Sequence, residues 1–191
     1  MPNWPANPAF VDRFLSSAVS AERDCACEEE IVTLFSKLRN PLLRYVLSFG
    51  IAPQEAEEIA QEVFLALFKH LKRGKSRANL QGWVFQVCHN LALKHLEQVR
   101  ARNTAITPES NWEEIHIDSA LNPEELLVEA QRRKKLQTVL GALAELDRYC
   151  VCLRAEGLRY REIAEILGMS LGAVSISLAR SLARFERADQ D

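Results

Sequence analysis

The sequence contains little glycine and little methionine, and it lacks any long hydrophobic run. Only seven of its 191 residues are glycine and two are methionine. The first ten residues carry neither a positive charge nor an apolar run, so we expect no signal peptide and no membrane anchor there. No later stretch is apolar for long enough to cross a bilayer. The sequence therefore predicts a cytoplasmic protein without a membrane segment.

An excess of positive charge is also missing. The chain has 24 basic and 26 acidic residues, and its formal net charge is -2. This average alone argues against a nucleic-acid-binding protein, because neutralising phosphates requires an excess of Lys and Arg. The charges are segregated, however: eight basic residues and one acidic residue lie between Lys69 and Arg102, whereas residues 103–131 contain seven acidic residues and no basic one. Such asymmetry indicates separate roles for adjoining segments.

The cysteines are odd in number and arranged in part as two C-x-C pairs. They are Cys25, Cys27, Cys88, Cys150 and Cys152. Without an export signal we expect reduced thiols. Four thiolates from the two pairs are enough to hold zinc, but on a helix the two thiols of C-x-C point about 200° apart. We therefore predict no metal and no other cofactor, with a redox or zinc role for Cys25 and Cys27 as the alternative.

Apolar residues recur every three or four positions through most of the chain, while β-branched alternation is scarce, so the sequence predicts an all-α protein. One helix is expected from about Glu28 to Phe49, with a break near Pro41. The next begins at Pro53 and ends before Gly74. Its apolar stripe consists of Ala56, Ile59, Ala60, Val63, Phe64, Leu67, Phe68 and Leu71.

A further helix is expected from about Gln81 to Arg100. Its apolar stripe predicts that one face packs in a core and that the opposite face is polar. The core face comprises Val84, Val87, Cys88 and Leu91. The polar face comprises Gln86, His89, Asn90, Lys94 and Glu97.

The Pro-containing, acidic stretch that follows is typical of a linker. We predict an N-terminal extension over residues 1–30, a first domain over 31–102, the acidic linker over 103–131 and a second domain over 132–191. The fold class is thus two small helical domains joined by an acidic linker. In the second domain, Asp147 is a candidate N-cap.

The most informative segment runs from Gly157 to Phe185. A helix from Tyr160 to Leu167, a turn at Gly168 and a second helix from near Ser170 are typical of a helix-turn-helix unit. The predicted buried side of the second helix is Val174, Leu178, Leu182 and Phe185. The residues expected to contact duplex DNA are Ser170, Gly172, Ala173, Ser175, Ile176, Ser177, Arg180 and Arg184. An ordinary helical hairpin with a small-residue surface is the alternative.

These motifs resemble the extracytoplasmic-function (group IV) sigma factors of bacterial RNA polymerase. The similarity to that family's helix-turn-helix pattern is carried by Gly157, Glu162, Ile163, Ala164, Leu167, Gly168, Ser170, Gly172 and Val174. Upstream, AEEIAQEVFLALFKHL (56–71) is similar to the family helix that docks on the β′ clamp helices of the polymerase. LQGWVFQVCHNLALKHL (80–96) is similar to the helix that reads the melted minus-ten element. LRNPLLRYV (38–46) fits the start of the same domain.

The resemblance implies three binding surfaces and no catalytic residue. Core polymerase, through the β′ clamp helices and the β flap, is the implied partner, and the residues assigned to it are Glu57, Glu58, Gln61, Glu62 and Phe64. The residues assigned to minus-ten DNA are Lys72, Arg73, Lys75, Arg77, Gln86, His89, Asn90, Lys94 and Arg100. The second domain is assigned to the minus-thirty-five element. An anti-sigma factor is a further possible partner.

Some residues differ from the family pattern, and other classes of function stay open. His89, Asn90, Ala92 and Lys94 stand where the family usually has Arg-Asn-x-Ala-x-Asp, so base preference does not transfer. Ala173 replaces a common Thr.

The alternatives to a sigma factor are a helix-turn-helix regulator that binds DNA without polymerase, a thiol- or zinc-responsive helical switch, and a helical adaptor. The charge segregation argues against the adaptor.

Overall fold

The computed structural model describes residues 30–102 and 134–190, and within these ranges the chain is helical without any strand. The first three helices are α1 (30–47), α2 (Pro53–Lys72) and α3 (Leu80–Arg102). The remaining four are α4 (134–141), α5 (Glu145–Ala155), α6 (Tyr160–Leu167) and α7 (Leu171–Gln190). The all-α prediction is therefore confirmed. The predicted extension and linker, with Cys25 and Cys27, lie almost entirely outside the described residues.

Helices α1–α3 form the N-terminal unit. The stripe predicted on α2 is buried except for Phe68, which is half-buried with the Lys72 ammonium 5.0 Å from its ring centroid. The predicted break near Pro41 is wrong, because α1 is helical without interruption from residue 30 to residue 47. Proline removes one backbone donor, and the surrounding turns keep the helix continuous.

Helices α4–α7 form the C-terminal unit, in which α5, α6 and α7 pack together. Val174 and Leu178 are buried as predicted, but Leu182 is exposed and Ser181 is buried in its place. The reason is geometric: steps of four residues advance 400° and drift off the buried face, whereas the step from 178 to 181 brings the stripe back. Asp147 is not an N-cap, since it lies inside the first turn of α5 and Ala144 precedes the helix.

The two units pack against each other around one continuous hydrophobic core. Phe49 from the N-terminal unit stacks on Tyr149 of α5 with ring centroids 4.1 Å apart, and Tyr45 meets the same ring edge-on. Helix α3 also contacts α6. We call these contacts between the two units the inter-unit interface. They determine which of the predicted site residues are accessible.

No single helix in the described ranges is long and apolar enough to cross a membrane. Helices α6 and α7 satisfy that test only when taken together, and a bend of 104° separates them.

Candidate nucleic-acid interface

Helices α6 and α7 form a bent pair with the geometry of a helix-turn-helix unit. The bend of 104° lies at Gly168, whose φ of 63° and ψ of 30° place it in the left-handed region that glycine adopts without strain. At the start of α7, the Ser170 hydroxyl oxygen accepts a hydrogen bond of 3.1 Å from the Ala173 backbone N–H. Ser170 therefore acts as a helix cap, which fixes where α7 begins.

The exposed face of α7 is the first candidate DNA-binding surface. Ile176 is 65% exposed, and Gly172, Ser175, Arg180 and Arg184 are exposed with it. The predicted contact Ala173 is half-buried. Small residues near the start of the helix permit close approach to a major groove, and an exposed isoleucine offers an apolar contact for thymine methyl groups.

Ser177 does not lie on this exposed face, contrary to the prediction. It is buried, and its hydroxyl donates a hydrogen bond of 2.7 Å to the Asp147 carboxylate of α5. Ser177 sits 60° from Val174 around the helix and so falls within the buried stripe. Asp147 itself was not identified as a functional candidate from the sequence.

The second candidate surface is the basic segment between α2 and α3 together with one face of α3. Arg73 and Lys75 are exposed, and the Arg77 guanidinium lies 3.5 Å from the Glu30 carboxylate. Lys72, Asn90 and Lys94 are exposed as predicted, and so is Arg100, whose guanidinium is 3.8 Å from Glu145. Exposed basic side chains are suited to holding phosphates of a single strand.

The predicted polar face of α3 turns partly toward the C-terminal unit. Gln86 is half-buried and donates through its amide nitrogen to the Asn90 side-chain oxygen at 3.3 Å and to the Ile166 backbone oxygen at 3.4 Å. Gln81 donates to the Glu156 backbone oxygen at 3.0 Å. In this arrangement, part of the surface assigned to minus-ten DNA is covered by α5 and α6.

His89 was expected on the exposed polar face, and this expectation is wrong. Its side chain is only 6% exposed, with Nδ1 2.8 Å from the Tyr45 hydroxyl oxygen and the Tyr149 ring 5.7 Å away. Burial lowers the pKa of His89 to about 4 and raises the pKa of Tyr45 well above its usual value. Both groups are therefore neutral at pH 7 while the two units are packed together.

The surface assigned to polymerase lies along α2. Glu58, Gln61 and Glu62 are exposed, which suits bonding to basic side chains of a partner. Glu57 is half-exposed and forms an ion pair with Arg39 within the N-terminal unit. Phe64 is buried in the core, with its ring centroid 4.7 Å from that of Phe35, and so is not on the outer surface.

The described cysteines are poor candidates for metal binding. Burial raises the pKa of Cys88 and Cys150, and it raises the pKa of Cys152 to about 11. A thiolate is the form that binds metal, so these buried thiols favour a packing role. Within the described ranges no group of three or more His, Cys, Asp or Glu residues is arranged to hold a metal ion.

An ion pair at the rim joins the two units. The Arg44 guanidinium contacts both carboxylate oxygens of Glu156, at 2.8 and 2.7 Å. The hydrogen bond to Glu156 raises the pKa of Arg44 above its usual value. Because the fork is bidentate, this pair is stronger than a monodentate surface pair, although Arg44 is 42% exposed and solvent screens it.

We expect Arg44→Glu to weaken the inter-unit interface. Placing a carboxylate opposite Glu156 removes the fork and adds repulsion, which we expect to lower the free energy of unfolding by about 1–2 kcal/mol. Urea denaturation of the full chain measures the loss. The charge-swapped variant Arg44→Glu/Glu156→Arg should recover part of it, and a double variant as unstable as the sum of the two single changes would contradict an interaction between these residues.

The chain is similar to known sequence families, to individual proteins and to solved structures. Residues 34–102 match the family Sigma-70 region 2, and residues 133–185 match Sigma-70, region 4. The ECF RNA polymerase sigma factor ShbA of Streptomyces griseus is 31% identical over 138 residues, which cover 71% of this chain and 72% of that protein. RNA polymerase sigma factor YlaC of Bacillus subtilis is 24% identical over 155 residues, covering 80% and 88%.

Solved structures share the fold, and two of them are complexes. The sigma factor RpoE from Bartonella quintana, in complex with the anti-sigma factor NepR, has a TM-score of 0.64 at 17% identity and covers 85% of this chain and 98% of that one. CnrH, in complex with the cytosolic domain of CnrY, has a TM-score of 0.57 at 20% identity and covers 91% and 97%. At these identities the likeness concerns the fold alone.

Proposed function

The chain belongs to the extracytoplasmic-function group of the sigma-70 family, and from this premise we propose how its surfaces divide the work of an RNA polymerase sigma factor. It joins core polymerase, recognises promoter DNA at two elements and directs initiation in the cytoplasm. It performs no catalytic step itself. The observation that carries the proposal is that one chain holds both an exposed basic surface beside α3 and, after an acidic segment, an exposed face on a bent helix pair.

The N-terminal unit provides the polymerase contact and the minus-ten contact. The exposed side chains Glu58, Gln61 and Glu62 on α2 bind basic groups of the β′ clamp helices. The basic segment before α3, together with Asn90 and Lys94, holds the melted strand. His89 and Gln86 join this surface only when the C-terminal unit moves away from α3.

The C-terminal unit provides the minus-thirty-five contact. Helix α7 enters the major groove with Gly172, Ser175 and Ile176 facing the bases. Arg184, one turn beyond Arg180, contacts a phosphate. The direct base contacts are few, because small residues occupy most of the exposed face.

We expect Arg184→Ala to weaken binding to upstream promoter duplex without changing base preference. One lost phosphate contact reduces the slope of log K against log[salt] by roughly one, since about one counterion fewer is released. Fluorescence anisotropy with polymerase holoenzyme across a salt titration measures the slope. Arg184 Nη1 donates to the Ala142 backbone oxygen at 3.4 Å and Arg187 Nε donates to the Ala183 backbone oxygen at 3.0 Å, so each side chain has one backbone partner. Arg187→Ala is the control for the loss of a positive charge, because Arg187 lies in the last turn of the same helix, further from its start than Arg184. An identical slope for Arg184→Ala and the wild type would contradict the phosphate contact.

Run-off transcription tests the proposed function itself. Purified core polymerase with the full chain and a library of genomic fragments should yield transcripts that core polymerase alone does not make. The transcripts should share an upstream element and a minus-ten element. Stable association with duplex DNA but not with core polymerase would instead indicate a regulator that acts without polymerase.

A protein inhibitor is a further proposed partner. The support is the fold shared with RpoE, which was solved with the anti-sigma factor NepR. We expect a protein other than the polymerase subunits that co-purifies with the chain from its host to suppress run-off transcription when added back. A co-purifying protein that leaves transcription unchanged would not be such an inhibitor.

A further inference from the structure

A buried carboxylate in the C-terminal unit holds one edge of an exposed arginine on α7. Asp147 of α5 is 5% exposed. Its Oδ1 accepts a hydrogen bond from Arg180 Nη2 at 2.6 Å, and its Oδ2 accepts from Nη2 at 2.7 Å and from Nε at 3.1 Å. The Ser177 hydroxyl donates to Oδ1 from one turn earlier on α7. Both carboxylate oxygens are thus occupied by the same helix.

Asp147 stays ionised in this setting. Burial raises the pKa of Asp147, but the hydrogen bonds from Arg180 and Ser177 outweigh it, so the pKa lies below its usual value. The carboxylate and the guanidinium therefore form a pair with no net charge. Because Asp147 belongs to α5 and Arg180 to the exposed face of α7, this pair links α5 to that face.

The other edge of Arg180 points away from Asp147. Guanidinium has five N–H donors, and the Nε and Nη2 groups are the ones directed at the carboxylate. Within the described ranges Nη1 makes no hydrogen bond, and the Arg180 side chain is 55% exposed. Ile176 lies one turn before Arg180, on the same exposed face. The held arginine thus presents Nη1 beside the surface proposed to enter the groove.

We propose that Asp147 is a positioning residue for promoter recognition, which holds Arg180 so that its Nη1 edge meets a hydrogen-bond acceptor on a base in the major groove. This inference rests on the proposed function of α7. A base rather than a phosphate is the favoured target because the Asp147–Arg180 pair is neutral and releases few counterions. The pair fixes the orientation of the guanidinium, since the Arg180 side chain is already held by Asp147 before DNA binds.

A positioning role for Asp147 and a purely stabilising role predict different effects on DNA binding. In Asp147→Asn no carboxylate compensates the positive charge of Arg180, and the side chain loses its fixed geometry. Affinity for unrelated duplex should rise with a steeper salt dependence, while discrimination between the selected and a scrambled duplex should fall on the order of tenfold. A residue with a purely structural role would lower binding to both duplexes together.

The experiment uses wild-type holoenzyme to select an upstream element from a randomised duplex library. Binding of a 30-base-pair duplex bearing that element, and of its scrambled counterpart, is then measured for each variant over a salt range. The variants are Asp147→Asn, Asp147→Glu and Arg180→Lys, with Glu145→Gln on the same turn of α5 as control. Arg180→Lys keeps the charge without the fork, so it should lose discrimination while folding normally, even if Asp147→Asn is unstable.

Partial recovery of discrimination by Asp147→Glu, with Glu145→Gln unchanged, is the expected result. Unchanged discrimination in folded Asp147→Asn and Arg180→Lys would overturn the inference, as would an equal loss on both duplexes. Failure of the wild-type holoenzyme to enrich any element would instead count against the proposed function of α7. The two failures are therefore separable.

Discussion

Val174→Asp is expected to unfold the C-terminal unit and to abolish transcription. Val174 has no exposed surface where α7 packs on α5 and α6. An unpaired carboxylate there loses its hydration and removes apolar contacts, at a cost of more than about 4 kcal/mol. This is comparable to the whole stability of a small domain. Circular dichroism melts and run-off transcription measure the two effects.

Ile176→Asp is the matched control, since it places the same carboxylate two residues along the same helix at a position that is 65% exposed. The melting temperature should stay near that of the wild type, while duplex binding falls because an acid is placed against DNA. Equal melting temperatures for the two aspartate variants would show that the buried stripe of α7 is misplaced.

Lowering the pH from 7 to 5 is expected to destabilise the protein through His89. The pKa of His89 is lowered to about 4 in the folded chain, against 6.5 for the exposed group. Between these values the unfolded chain binds a proton that the folded chain does not, so the free energy of unfolding falls as the pH falls. The full difference corresponds to about 3 kcal/mol, and about 2 kcal/mol of it is lost by pH 5.

The measurement compares urea denaturation of the wild type and His89→Gln at both pH values. The glutamine cannot be protonated in this range, so its stability should depend less on pH, and carboxylates that titrate in both proteins cancel in the comparison. Tyr45→Phe removes the hydroxyl 2.8 Å from His89 Nδ1 but keeps the imidazole, so it should retain the pH-dependent loss. Parallel pH profiles for wild type and His89→Gln would contradict the burial of a neutral histidine.

The local pattern of the chain was sufficient to predict the turn at Gly168 and the helices, apart from the break expected near Pro41. The apolar stripe of α2 recurs with the helical period, and Gly168 adopts the left-handed conformation that its position in the motif predicts. Both features depend on residues close in sequence. The family membership follows from such local motifs in their order, and the comparisons confirm it.

The site residues were harder to place because their environment comes from distant parts of the chain. His89 resembles a surface residue until Tyr45 and Tyr149 are brought to it, 44 residues before and 60 residues after it. Asp147 and Ser177 are 30 residues apart and form one cluster only after α5 and α7 pack. Periodicity describes one helix at a time, whereas these contacts depend on how separate helices meet. The roles assigned to the basic segment and to α7 stay predictions.

The inter-unit interface has a consequence for how tightly a competitor must bind. Because residues 103–133 join the two units in one chain, the association of the units is unimolecular and does not depend on protein concentration. Contacts that are too weak to hold two separate proteins together are then enough to keep α3 covered by α5 and α6. Under the proposed function, polymerase therefore competes with this self-association before a melted strand gains access to Gln86.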